Sequence, residues 1–292
     1  MVPNGAGLGV LDGGGIYARM HYTIDPSKKD AEWIAQGKKT QGLKWWMQQM
    51  EMKEDVYDGE PIFPSPPFME RHHVPAYYRE NLMPTVPGSE YLGCWDCGMT
   101  HQPAFALAQI TPFKQVQWML EVLPERPMAM SLFAPIVRQA LINFLPFQRG
   151  LIIHFGDPTG GTKSGSEGHS AFEIARGHGF HIRPAEQNPT YREDAVVWGL
   201  EDWIVQEGPE ETWVPRVLYC EKGCPVLVAG MKGAYCRQLQ ATSPTIGPGM
   251  RAKPKPLKNW FSHVNDAHQY GMVECKRGLF EVRQQPKRFL QI

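Results

Sequence analysis

Residues 151–168 read LIIHFGDPTGGTKSGSEG, and this stretch decides between two kinds of protein. The apolar run over 151–155, bounded by turn residues, is typical of a strand covered on both faces. Asp157 follows this run, and a glycine-rich segment with Lys163 comes next. Two interpretations are open at this point. Either the glycines wrap a nucleotide phosphate, or Asp157 presents a carboxylate to a metal ion at the end of the strand.

The spacing argues against the phosphate loop. That motif has a glycine, four further residues, and then Gly-Lys-Ser/Thr, with the lysine at the start of a helix. Gly156 and Gly161 match the motif, but Thr162 intervenes before Lys163. The metal interpretation is thus the better one. Because one carboxylate does not hold a metal ion by itself, it requires further carboxylates from elsewhere in the chain.

Composition and charge restrict the class of protein. The chain has 292 residues, and 42% of them are hydrophobic. No apolar run reaches the roughly 18 residues of a membrane span, and the N-terminus lacks a signal-peptide pattern. These features predict a soluble, intracellular protein without membrane association. The net charge is zero, but residues 216–292 contain 13 basic and 4 acidic residues. Such an excess favours a surface that binds a polyanion, although solvated charge alone also explains it.

Six cysteines raise the question of a structural zinc site. Cys94 and Cys97 form a CxxC motif within YLGCWDC, which reads as a strand. Because strand side chains alternate between faces, Cys94 and Cys97 are expected to point in opposite directions. Buried free thiols in a reducing compartment are the better interpretation.

The chain divides near residue 88. Residues 1–88 hold two helical patterns, over about 27–39 and 43–54, followed by a proline-rich stretch that excludes long helices and central strands. Residues 89–292 alternate strands and helices. Three strand patterns, at 91–97, 104–110 and 115–123, are joined by short connections and predict an antiparallel meander.

The remaining patterns complete a mixed α/β fold with helices on both faces of its sheet. A helical pattern over 132–145 leads into the strand at 151–155. A capping box at Thr190–Glu193 predicts a helix whose buried stripe runs to Ile204, and WVPRVLYC at 213–220 predicts one strand. The last helix begins near Ser262.

Three aspartates are candidate metal ligands. Asp96 is a charged residue near the end of an apolar strand, where it needs a cation or several hydrogen bonds unless it faces water at an edge. Asp157 follows a buried strand. Asp266 lies early in the last helix on the same side as His263 and Tyr270, although an acid near a helix N-terminus has a simpler explanation in the helix dipole.

Several motifs occur in a fixed order: WDCG with HQPA, GDPTGGTKSG, YREDAV with GLEDWI, VPRVLYCEKGCPVLVAGMKGAYC, and PLKNWFSHVNDAHQYGM. This order resembles the nuclease domain of phage large terminase subunits, which are RNase H-like nucleases of the RuvC type. The segment beginning IYARMHYTIDP is similar to the stretch that joins the ATPase domain of that family to its nuclease. The resemblance covers most of the chain between residues 16 and 273.

The resemblance implies a fold and a set of ligands. The fold is an RNase H-like mixed sheet of three antiparallel strands followed by parallel strands. Asp96, Asp157 and Asp266 are then the catalytic, metal-binding carboxylates for Mg²⁺ or Mn²⁺, with two ions expected. Asn265 stands where some relatives have a second acid, and His263 and Asn265 are candidates to support the ligands.

The resemblance also implies a function. It predicts a metal-dependent endonuclease that cleaves double-stranded DNA during viral genome packaging in the cytoplasm of a bacterial host. The portal, the small terminase subunit and a separate ATPase motor are candidate partners, because no Walker A or Walker B motif precedes residue 90. Two alternatives remain, namely a Holliday junction resolvase of the same architecture and a non-catalytic DNA-binding or docking module. The candidate phosphate contacts are Lys163, Lys253, Lys255 and Lys258, with Lys232 and Arg237 as weaker candidates.

Overall fold

The structure is a computed structural model that describes residues 7–10, 16–19, 60–63, 69, 71–98, 102–145, 152–163, 168–206, 212–237, 256 and 258–278. The chain forms two compact units, one of residues 1–60 and 238–252 and the other of residues 61–237 and 253–292. In the first unit, strands β1 (Gly7–Val10) and β2 (Ile16–Arg19) pair antiparallel. The helices predicted before residue 60, and Lys253 and Lys255, lie outside the described residues.

The elements that follow are listed in chain order. The strands are β3 (Glu60–Pro61), β4 (Glu90–Asp96), β5 (Ala104–Ile110), β6 (Val116–Val122), β7 (Ile152–Gly156), β8 (Ile182–Pro184), β9 (Trp203–Gln206), β10 (Thr212–Pro215), β11 (Val217–Tyr219) and β12 (Cys236–Arg237). The helices are α1 (Tyr77–Glu80), α2 (Met130–Phe144), α3 (Ala171–Gly177), α4 (Pro189–Glu201), α5 (Pro225–Ala229) and α6 (Trp260–Lys276). A 3₁₀ helix (Pro158–Gly161) follows β7, and a π-helical turn (Gly230–Ala234) follows α5.

Six strands form one sheet in the order β11-β6-β5-β4-β7-β8. Strands β4, β5 and β6 are antiparallel neighbours, whereas β7 and β8 continue the sheet in parallel and β11 pairs in parallel with β6. This is the mixed sheet that the sequence predicts. A connection through α2 separates the meander from β7, as a parallel neighbour of β4 requires.

A hydrophobic core lies on each face of the sheet because alternate residues of the central strands point to opposite sides. Leu92 and Cys94 point into one core, which α4, α5 and α6 cover. Trp95 and Phe105 point into the other, which α2 and α3 cover. Cys97 packs against the second core, which confirms that it and Cys94 face opposite sides.

Two local predictions were wrong. The segment 213–220 is not one strand, because Arg216 separates β10, which pairs with β9, from β11 in the main sheet. The Arg216 side chain binds Asp202 Oδ2 at 2.8 Å and the backbone oxygen of Lys114 at 3.2 Å. The cap of α4 is Asn188, two residues before the predicted cap Thr190, since its side chain accepts a hydrogen bond from Thr190 N. Ile204 belongs to β9 rather than to the helix.

The compact unit that contains the sheet begins at Pro61, earlier than the boundary predicted near residue 88. The reason is apolar burial, because Phe63, Met69 and Val74 lie in the first core and Met83 lies in the second. The role of residues 1–88 as a connecting segment stays a prediction. Within the described part of the chain, no helix has the length and apolar character needed to cross a membrane.

Candidate active site

Two of the predicted ligands lie side by side at one edge of the sheet. Asp96 is the last residue of β4, and Asp157 directly follows β7. These strands run parallel with Trp95 opposite Gly156, and Asp157 N donates to Trp95 O at 3.1 Å. Because the carboxyl ends of parallel strands share one edge, the two aspartates emerge next to each other.

Asp96 is buried, with 6% of its surface exposed, and both of its oxygens accept hydrogen bonds. Gly98 N donates to Oδ1 at 3.1 Å, and His263 Nδ1 lies 2.9 Å from Oδ2. Burial raises the pKa of Asp96, the His263 hydrogen bond opposes that rise, and the charge of Asp266 adds to it. Asp96 therefore bears a desolvation cost that a nearby positive charge would relieve.

The turn after Asp96 depends on glycine. Gly98 has φ +51°, and a Cβ there would lie 2.5 Å from the backbone oxygen of Gln102. Gln102 is also placed to interact with the site, since its Oε1 lies 3.0 Å from His263 Nε2. The turn thus orients both the Asp96 carboxylate and the imidazole that binds it.

Helix α6 supplies the third carboxylate. Its N-cap is Asn259, whose side chain accepts from Phe261 N and Ser262 N, so that Asp266 lies in the second turn. Asp266 is only 3% exposed. Tyr235 Oη donates to its Oδ1 at 2.9 Å, and Lys258 Nζ binds its Oδ2.

A buried arginine lies beside these groups. Arg192 Nη1 is 3.9 Å from Asp266 Oδ1, and its guanidinium lies 4.8 Å from the centre of the Tyr270 ring. Burial raises the pKa of Tyr270; the positive charge of Arg192 opposes this rise, and the charges of all three aspartates add to it. Asp96, Asp157 and Asp266, hereafter the aspartate site, therefore share one electrostatic environment.

Asp157 accepts a hydrogen bond from Thr159 N at 2.9 Å and thereby caps the 3₁₀ helix. The glycines that follow have a packing role: a Cβ at Gly160 would lie 2.6 Å from Cys97 Sγ and 2.7 Å from the Phe172 ring. The next α-helix, α3, begins only at Ala171. Lys163 is thus not at the start of a helix, as a phosphate loop would require.

The aspartate site suits a hard divalent cation in its donor chemistry. Mg²⁺ and Mn²⁺ prefer carboxylate oxygens, and carboxylates that share one buried environment are costly without positive charge. As the side chains stand, however, no three His, Cys, Asp or Glu residues of the described ranges form a cluster that could hold a metal. The side chains that bind Asp96 and Asp266 at these oxygens are instead His263 and Lys258. Metal binding would require Lys258 to leave, and its side chain is 66% exposed.

The predicted supporting residues and phosphate contacts lie in different surroundings, some buried, some exposed and some paired with acids. His263 binds Asp96, whereas Asn265 is buried, donates to Phe261 O and lies against Gly230. Lys163 is exposed in the loop after Asp157. Lys232 and Arg237 are engaged by Glu221 and Glu193, respectively.

Sequence reasoning did not identify Arg192, Tyr235 and Gln102 as site residues. Arg192 and Gln102 fall within the motifs YREDAV and HQPA, but nothing in their residue types separates them from surface residues. Tyr235 comes from the segment after α5, which reaches Asp266 only through the fold.

No family model and no curated protein matches this chain. Among solved structures, the large terminase of a thermophilic bacteriophage in complex with ATP-γ-S has a TM-score of 0.51 at 13% identity, covering 87% of this chain and 54% of that one. The fold of this chain is therefore similar to that of about half of this large terminase. The predicted mixed sheet of three antiparallel strands continued by parallel strands is confirmed.

Two further terminase structures were found. Another structure of the large terminase from the same thermophilic bacteriophage has a TM-score of 0.49 at 15% identity and covers 77% of this chain and 46% of that one. The P22 large terminase nuclease domain has a TM-score of 0.46 at 12% identity and covers 69% of this chain and 90% of that one. This chain therefore spans about half the length of the large terminase from the thermophilic bacteriophage.

Proposed function

We propose that this chain is a metal-dependent endonuclease that cleaves double-stranded DNA during viral genome packaging. The observation that carries the proposal is that Asp96 and Asp157 lie at the ends of neighbouring parallel strands while Asp266 of α6 acts electrostatically on the same buried groups, although up to 170 residues separate the three in sequence. Three carboxylates that converge from distant parts of a chain are the donor set of two-metal phosphodiester hydrolysis. In that setting the portal, the small terminase subunit and a separate ATPase motor are its partners in the host cytoplasm.

Asp96, Asp157 and Asp266 would hold the Mg²⁺ or Mn²⁺ ions. When bound, such ions lower the pKa of water and neutralise charge on the phosphate. Around them, His263 and Gly98 N orient the Asp96 carboxylate, and Tyr235 and Arg192 orient that of Asp266. Lys163 supplies positive charge for the DNA backbone in the loop beside Asp157.

Cleavage of supercoiled plasmid in Mn²⁺ tests this function. We expect EDTA to abolish cleavage, and Asp96→Asn, Asp157→Asn and Asp266→Asn each to reduce it at least about a hundredfold, because each removes a charged metal ligand. Asp194→Asn is the matched control, since Asp194 is exposed on α4. Circular dichroism and thermal melting establish that each variant is folded.

Three outcomes would redirect the proposal. Cleavage that persists in all three aspartate variants would remove the aspartate site from the reaction. Strong preference for a four-way junction over linear duplex would favour the resolvase, whereas DNA binding without any cleavage would favour the docking module.

A further inference from the structure

The two oxygens of Asp266 are held in different ways. Oδ1 faces groups that are fixed in the protein, namely the Tyr235 hydroxyl at 2.9 Å and the Arg192 guanidinium at 3.9 Å. Oδ2 is bound by Lys258, which lies just before α6. The carboxylate is therefore held by buried groups at Oδ1 and by a largely exposed lysine at Oδ2.

The two cations differ in how easily they can leave. The Arg192 side chain is 11% exposed and lies over the Tyr270 ring. The Lys258 side chain is 66% exposed. An ion pair whose lysine is largely solvated is weak, because water competes for the ammonium and the flexible side chain loses entropy when it is held. Lys258 is thus the exchangeable cation of the pair.

We propose that Lys258 is a counter-ion that competes with the divalent cation for Oδ2 of Asp266 and is released when the cation binds. This inference rests on the proposed function. The ammonium and the cation need the same oxygen and repel each other, so both cannot occupy it together. The predicted contact between Lys258 and a DNA phosphate then becomes available only after the metal has bound.

Mn²⁺ titration of the whole protein without DNA, followed by electron paramagnetic resonance of the free ion, measures this competition. We expect Lys258→Met to tighten Mn²⁺ binding about two- to sixfold, the range expected when a weak exposed ion pair no longer competes. Lys258→Arg keeps the charge and should bind Mn²⁺ as the wild type does. Lys163→Met is the control for loss of one positive charge from another exposed lysine, and Asp266→Asn establishes that the signal reports this carboxylate.

A second measurement uses the unchanged protein. Acetylation of Lys258 by acetic anhydride, followed by mass spectrometry, should accelerate when Mn²⁺ is added, because the released amine is more accessible. Acetylation of Lys163 should be unaffected.

The outcomes separate the two proposals. Equal tightening in Lys258→Met and Lys163→Met, weaker binding in Lys258→Met, or an unchanged acetylation rate would overturn the competition while leaving the nuclease proposal intact. If neither the wild type nor Lys258→Met binds Mn²⁺, both proposals fail.

Discussion

Glu121 is a partly buried residue of β6 that lies outside the aspartate site. Its two carboxyl oxygens accept from Val226 N at 2.7 Å and Leu227 N at 2.8 Å, at the start of α5. Burial raises the pKa of Glu121 to about 7, and these two hydrogen bonds only partly oppose the rise. Its role is therefore structural, joining α5 to the edge of the meander.

The raised pKa of Glu121 predicts a pH dependence of stability. The folded pKa lies above the unfolded value of 4.5, so the folded state binds more protons between pH 4.5 and about 7. This contribution is complete below pH 4.5 and is lost as pH rises toward 7, by about 2–3 kcal/mol. Urea denaturation at pH 5 and pH 7.5 should show a smaller loss in Glu121→Gln than in the wild type.

Glu125→Gln is the control for this experiment, because Glu125 is exposed just beyond the end of β6. An equal loss of stability in Glu121→Gln and the wild type would contradict the assignment. The comparison between variants is essential, since burial also raises the pKa of Asp96 and Glu274.

Helix α6 positions two groups of the site at once. His263 and Asp266 are three residues apart and so lie on one face of the helix. The helix comes close to the sheet because it carries Gly271 where it crosses β4: a Cβ there would lie 2.5 Å from Cys94 Sγ and 2.8 Å from the Trp118 ring. The close approach of helix and strand therefore depends on a residue without a side chain.

Gly271→Ala should push α6 away from the sheet. We expect the free energy of unfolding to fall by about 1–3 kcal/mol through overpacking, and DNA cleavage to fall with it because His263 and Asp266 move away from Asp96. Chemical denaturation and the plasmid assay measure the two effects.

Gly177→Ala is the matched control. Gly177 ends α3, and a Cβ there meets no atom within 4 Å. This change should leave cleavage intact and leave stability equal or up to about 1 kcal/mol higher, because alanine favours the helix. Equal effects of the two alanines would argue against the tight crossing of α6 and β4.

At the scale of the whole molecule, the basic residues of the C-terminal third do not form one free polyanion surface within the described ranges. Lys232 is bound to Glu221, Arg237 to Glu193 and Lys258 to Asp266. Lys163, from the acidic part of the chain, is instead exposed, six residues after Asp157. The excess of basic residues in 216–292 therefore does not predict which positive charges are free to bind DNA, because the fold pairs several of them with acids.

The salt dependence of DNA binding tests which of these basic residues contact DNA. Fluorescence anisotropy of a duplex between about 50 and 200 mM salt should give a slope of log affinity against log salt that is about one unit shallower in Lys163→Ala than in the wild type. Lys232→Ala should change the slope less, because Glu221 already neutralises Lys232. A larger effect of Lys232→Ala would place the DNA on another face.

Local patterns in the sequence suffice to predict the main strands of the sheet. The strands in 91–123 and the apolar run at 151–155 can each be recognised from the apolar residues of a short segment. The three aspartates were predicted through the order of motifs, and the meeting of Asp96 and Asp157 at one edge follows from strand direction. Local patterns failed at Arg216 and at the start of α4, where one ion pair and one asparagine cap decide the boundary.

Only the tertiary structure decided what surrounds each carboxylate. Arg192, Tyr235 and Lys258 reach Asp266 from three separate segments, and Gln102 reaches Asp96 through His263. No spacing in the sequence encodes such contacts, because they depend on how helices and loops pack over a sheet edge. The sequence determined which strands carry the acids, whereas packing determined which cations and hydrogen-bond donors face them.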